Sequence, residues 1–245
     1  MSLRNTFNRK RGTPSLVRRE ALWGAVFFVC GVFSARVAAA NQLCSDLLQT
    51  GKYTIDLDKC RPAPISTGEK RLVLKSLPAA GAVTHLTKGE QRKLKDLTPV
   101  LHLHERDGVY ELRVISVPQA WIGLYGRAVL LISLPALELL RAEELQALVA
   151  HEIGHEYLWQ EYAVARKDKD VTRLRELELK CDAIAVLTLQ RIECNPNRLI
   201  LGLEKLSWYN RERFGSATNE SGYPSLRARR DLVEAMSRLP GYLTW

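Results

Sequence analysis

Residues 151–156 read HEIGHE, and the apolar run ELQALVA leads straight into them. His151 and His155 are four residues apart, so on a helix they lie one above the other and both imidazoles can reach one ion. Glu152 sits about 100° round from His151, which places its carboxylate beside that ion rather than on it. The spacing is H-E-x-x-H, in which a zinc-activated water of pKa about 7 gives its proton to the glutamate. Two histidines and a glutamate also meet by chance in alanine- and leucine-rich helices, so the motif is weighed with its surroundings. A glutamate on an apolar face needs a partner, and a metal site supplies one. Gly154 costs roughly 1 kcal/mol against alanine in a helix interior, which predicts a close neighbour at that point.

A zinc peptidase site needs a third protein ligand and an open position for water. The metzincin pattern requires glycine at 158 and histidine at 161, where this chain has Leu158 and Glu161. With no glycine turn, one helix is expected from about Glu143 to Ala165, carrying Glu161 away from the ligand face. The aminopeptidase spacing would put the ligand at Leu174, which cannot coordinate. In RELELKCDA, Glu178 and Asp182 are again i and i+4, so Glu178 can bind zinc while Asp182 orients a ligating histidine. Glu176 lies about 200° round the helix from Glu178 and is expected to face solvent.

ELQALVAHEIGHE followed by RELELKCDAIAV resembles the zinc metallopeptidases related to HtpX and the CAAX prenyl protease. The Cys181-Asp182 pair is also similar to the peptidase domains of the BlaR/MecR antibiotic sensors. Upstream, the unbroken run VISVPQAWIGLYGRAVLLISLPALELLRAEELQALVAHEIGH is similar to that group's strand, turn, edge strand and active-site helix in order, and YPSLRARRDLVEAM resembles its C-terminal His-Pro-Ser…Arg segment. The likeness covers roughly residues 109–236. It implies a gluzincin-type α+β, zincin-like domain, with one Zn2+ per chain on His151, His155 and Glu178. It further implies Glu152 as general base, Asp182 behind a ligand, and Arg229 as a structural or substrate-facing arginine. Two departures stand out: Tyr223 replaces a common histidine, and the 22-residue connection from His155 to Glu178 is short. A tyrosine hydroxyl is itself a reasonable oxyanion donor, which makes Tyr223 a candidate catalytic group.

The elements that must position these residues follow from pattern. Thr87-x-x-Glu90 is a capping box opening a helix that ends before Pro99. Val109–Val117 alternates as a strand, and RAVLLIS from Arg127 to Ser133 reads as a second. If that second strand is an exposed edge beside the zinc, a polypeptide substrate can add to it by backbone hydrogen bonds; the alternative is a fully buried strand. Further helices are expected up to about Ile192, from Asn195-Pro196, and over LRARRDLVEAMSRL. His102 and His104 would share one face of a strand, but no cysteine or carboxylate joins them, and an ordinary structural role is expected.

At 245 residues with 46% hydrophobic and 26% charged content, the chain has material for one packed domain and is neither disordered nor fibrous. Its net +9 is concentrated in residues 1–40, which hold seven basic residues and one acid, leaving +3 for the rest. A nucleic-acid face is therefore not expected. That leader has a basic start, the apolar segment from Ala21 to Phe33 and small residues up to Ala40, and reads as a signal peptide directing export to a periplasmic or secreted location. The alternative is a membrane anchor at residues 21–35, although a span needs about 20 apolar residues. Residues 41–67 are expected to be an N-terminal extension and 68–245 the metallopeptidase domain. Of the cysteines beyond the leader, Cys44–Cys60 and Cys181–Cys194 are the pairings that proximity favours. The expectation is an exported zinc metalloendopeptidase; a non-catalytic adaptor or sensor of the cell envelope on the same scaffold is the second reading.

Overall fold

The computed structural model describes residues 57–77, 81–83, 85–215 and 223–238. The leader and its anchor alternative, Cys44 and any Cys44–Cys60 pairing lie outside these residues. Ten helices and three strands are defined among them: α1 Leu57–Cys60, α2 Thr67–Ser76, α3 Lys88–Lys95, α4 Thr98–Leu103, β1 Glu111–Ile115, β2 Ile122–Tyr125, β3 Val129–Ser133, α5 Leu134–Leu139, α6 Ala142–Tyr157, α7 Trp159–Lys167, α8 Val171–Arg191, α9 Asn197–Phe214 and α10 Leu226–Ser237. The architecture is α+β and mainly helical, with one small sheet. None of the described helices is long and apolar enough to cross a membrane.

The sheet has the order β1-β3-β2, with β3 parallel to β1 and antiparallel to β2. Of the two readings of Arg127–Ser133, an exposed edge or a fully buried strand, the sheet shows the buried one. β3 is hydrogen-bonded on both sides and buried along its whole length, as a continuous apolar run allows. β1 and β2 are the two edge strands, and β2 is the one packed against α6. Between β2 and β3, Gly126 and Arg127 are both at positive φ (56°), and the Ala128 amide donates to the Tyr125 carbonyl at 3.1 Å. Tyr125 pairs with Val129, so the hairpin connection is the three residues Gly126-Arg127-Ala128, and Arg127 lies outside the strand. One sheet face packs on α6; the other, with Val129 and Leu131, is covered by Val73, Leu74 and Leu77 of and beside α2.

α6 is buried on nearly every side, from Glu144 through Tyr157, as expected of a helix surrounded by its own domain. α8 makes its most extensive packing against α6, and α9 and α10 close over this pair. α6 stops at Leu158 (φ −109°, ψ 20°), and α7 starts at the next residue, so the single helix expected over 143–165 is two. Leu158 is fully buried, and Tyr162, seven residues after His155 and on the same helical face, is buried as well.

Two other expectations change. Cys181 and Cys194 are both free thiols. Cys181 sits inside α8, and the ten residues of helix from there to Arg191 rise about 15 Å, too far for a disulfide that needs Cα atoms within about 7 Å. His102 lies in α4 and His104 caps it, so they do not share a strand face. His104 is buried between the Tyr157 hydroxyl (2.8 Å) and the Thr188 hydroxyl (2.9 Å), a satisfied core histidine.

The segment expected to be an extension is tied to the domain in its last residues. Leu57, Cys60 and Pro62 are buried. The carbonyls of Pro62 and Ala63 accept hydrogen bonds from Arg106 (2.6 Å) and Arg127 (2.5 Å).

Candidate metal centre

His151 and His155 project from α6 toward Glu178 of α8, and one donor atom from each can be chosen so that all three lie within 4.8 Å of one another. His151 Nε2 is 3.4 Å from Glu178 Oε2, and His155 Nε2 is 3.8 Å from Glu178 Oε1. Two ligands at about 2.0–2.1 Å on a tetrahedral ion are themselves roughly 3.3 Å apart, so these separations suit one metal ion. Glu178 Oε2 is buried and has no hydrogen-bond partner among the described residues. A buried carboxylate oxygen left without a donor is costly unless a cation supplies the missing charge. The three side chains could therefore hold a metal ion.

The groups behind the ligands are fixed in turn. His151 Nδ1 is 2.9 Å from Asp182 Oδ1. Arg229 of α10 donates to both Asp182 oxygens, from Nε at 2.7 Å and Nη2 at 2.5 Å. With Nδ1 donating to Asp182, the His151 Nε2 lone pair faces Glu178 and His155. Asp182 is fully buried and Arg229 nearly so, which makes this arginine a partner of the carboxylate.

Electrostatics follow from these contacts. Burial works against a proton on His151, yet the Asp182 and Glu178 carboxylates beside it prevail and lift its pKa to about 9. His155, partly buried and without comparable support, is pushed down to about 3 by loss of water around it. Burial alone would raise Glu178, but His155 and the contact with His151 hold it down to about 2. Glu152 is pushed up to about 7 by burial. Its Oε2 accepts the Leu124 amide hydrogen at 3.1 Å, which anchors it to strand β2.

The structure thus brings His151, Glu152, His155, Glu178, Asp182 and Arg229 together. Tyr223 stands two residues before Ser225, the α10 N-cap, and is 39% exposed. Glu161 does not join the three potential ligands; it is carried onto α7.

Sequence reasoning missed a buried cluster on the far side of α6. Glu156, next to His155, has no exposed surface and accepts from Arg106 Nε at 2.7 Å, Arg127 Nη2 at 3.1 Å and the Tyr110 hydroxyl. Tyr162 was also missed: its hydroxyl donates to Glu178 Oε1 at 2.9 Å.

No protein-family model matches the chain, and no curated protein matches it in sequence.

Proposed function

We propose that the chain is a zinc-dependent metalloendopeptidase with a zincin-like domain, akin to the HtpX and CAAX prenyl protease group that its motifs resemble. The observation that carries this reading is Glu178 Oε2, buried without a hydrogen-bond partner among the described residues and set against two histidines from an H-E-x-x-H helix. All-nitrogen-and-oxygen donors with one carboxylate suit zinc, and three protein ligands leave a position open. When bound, zinc supplies Lewis acidity and an acidified water.

The chain's own residues account for the rest. Glu152, held at Leu124 and with a pKa near neutrality, is suited to take a proton from water and deliver it to the leaving amine. Asp182 and Arg229 keep His151 in the tautomer that presents Nε2. β2 supports the binding of an extended polypeptide. The Ser133 amide donates to the Trp121 carbonyl at 3.0 Å, so by alternation Trp121, Gly123 and Tyr125 face β3. Ile122 and Leu124 then direct their backbone groups away from β3, toward the side where Glu152 is bonded. Strand addition there would lay a peptide bond alongside the base, and because Ile122, Gly123 and Leu124 are buried it requires the groups covering β2 to move aside.

The leader supports export, which makes proteins of the cell envelope or its surroundings the substrates, and no nucleic acid is involved. The test is zinc analysis of the purified full chain: one zinc per chain, lost on Glu178→Ala, is expected. A chain that takes up no zinc rules the reading out.

A further inference from the structure

We infer that Tyr162 is a positioning residue that makes Glu178 a one-oxygen ligand and so keeps a coordination position open. The inference rests on the metal-site reading above. Tyr162 is 3% exposed and, seven residues after His155, shares the helical face of that ligand across the break at Leu158. Its ring lies 4.7 Å from that of His155, tilted by 58°, with the Arg166 guanidinium 5.7 Å from its centroid. The phenol is therefore held by packing on both sides. Its hydroxyl is 2.9 Å from Glu178 Oε1 and 3.7 Å from Cys181 Sγ.

The two oxygens of Glu178 are thus unequal. Oε1 accepts a charge-assisted hydrogen bond from the phenol, and Oε2, 3.4 Å from His151 Nε2, has no hydrogen-bond partner among the described residues. A carboxylate whose one oxygen is engaged by a fixed donor binds a cation through the other. If both oxygens bound, the second would occupy space that a catalytic zinc keeps for water. Asp182 orients His151 in the same way, so each of these two ligands has its own outer partner.

Tyr162→Phe removes the hydroxyl and retains the ring, which separates positioning from packing. Zinc affinity is read by competition with a chromophoric chelator, and coordination by the visible spectrum after Co2+ substitution. The expected result is one metal per chain in both proteins. In Tyr162→Phe, zinc affinity falls 10- to 100-fold, and the Co2+ bands weaken as the ion gains a fifth ligand. Unchanged affinity and spectrum overturn the role of Tyr162 while leaving the zinc reading intact; an unmodified chain without zinc overturns both. Should Tyr162→Phe fail to fold, zinc X-ray absorption of the unmodified chain decides. One carboxylate oxygen at about 2.0–2.2 Å supports the inference, and two overturn it.

Discussion

A Cβ placed on Gly154 would lie 2.9 Å from the Cα of Cys181 and 3.0 Å from its Cβ. α6 and α8 therefore touch backbone to backbone at the level of the site, and this contact fixes how far Glu178 and Asp182 stand from the two histidines. Gly154→Ala should gain about 1 kcal/mol in helix propensity but lose more by forcing the helices apart, for a net destabilisation of about 1–2 kcal/mol. Denaturant midpoints measure it. A stabilised variant would mean that the helices can separate freely.

Asp182→Asn should be more damaging. It removes the charge that Arg229 is buried against, which by analogy with broken buried pairs costs about 3–5 kcal/mol. It also withdraws the acceptor that orients His151, so zinc affinity should fall 10- to 100-fold in whatever fraction remains folded. Unfolding in chelator and zinc competition give the two numbers separately, and a variant that retains both would detach Arg229 and Asp182 from the site.

Zinc binding should release a proton. In the metal-free chain His151 carries its proton up to a pKa of about 9, and a metal on Nε2 must displace it. Below that pH, apparent zinc affinity should therefore rise about tenfold per pH unit, and it should level off above it. A pH-independent affinity between pH 6 and 8 would contradict a protonated His151 in the metal-free chain.

Glu161 offers a stability prediction with the opposite chemistry. Both its carboxylate oxygens are buried without a hydrogen-bond partner among the described residues, and burial raises its pKa. The fold thus favours the protonated form. Its contribution to stability is present below the ordinary value of 4.5 and is lost as pH rises through the raised folded-state value. Glu161→Gln should raise the melting temperature at pH 7, with the gain vanishing near pH 4. Equal melting curves at both pH values would contradict the burial penalty.

The parts of the site carried by helical period were legible in the sequence. His151 with His155 and Glu178 with Asp182 are i, i+4 pairs, and a glycine inside a helix signals a close neighbour, here Cys181. Strand order was not legible. The apolar run of β3 suits a buried centre as well as an edge, and Gly123 inside β2 weakens the strand pattern there. Tyr162 shares the helical face of His155 by its i, i+7 spacing, but no local pattern marks that its hydroxyl meets Glu178 of the neighbouring helix. The cluster around Glu156 joins residues 29 to 50 positions apart, beyond any local pattern.

The central claim is that these residues hydrolyse peptide bonds with Glu152 as the base. Casein hydrolysis by the full chain carrying one equivalent of zinc, compared with Glu152→Gln carrying the same zinc, tests it most directly. The account predicts cleavage by the first, abolished by chelator, and none by the second. A zinc-loaded chain that cleaves nothing, or a Glu152→Gln variant that cleaves as well as its parent, would contradict it.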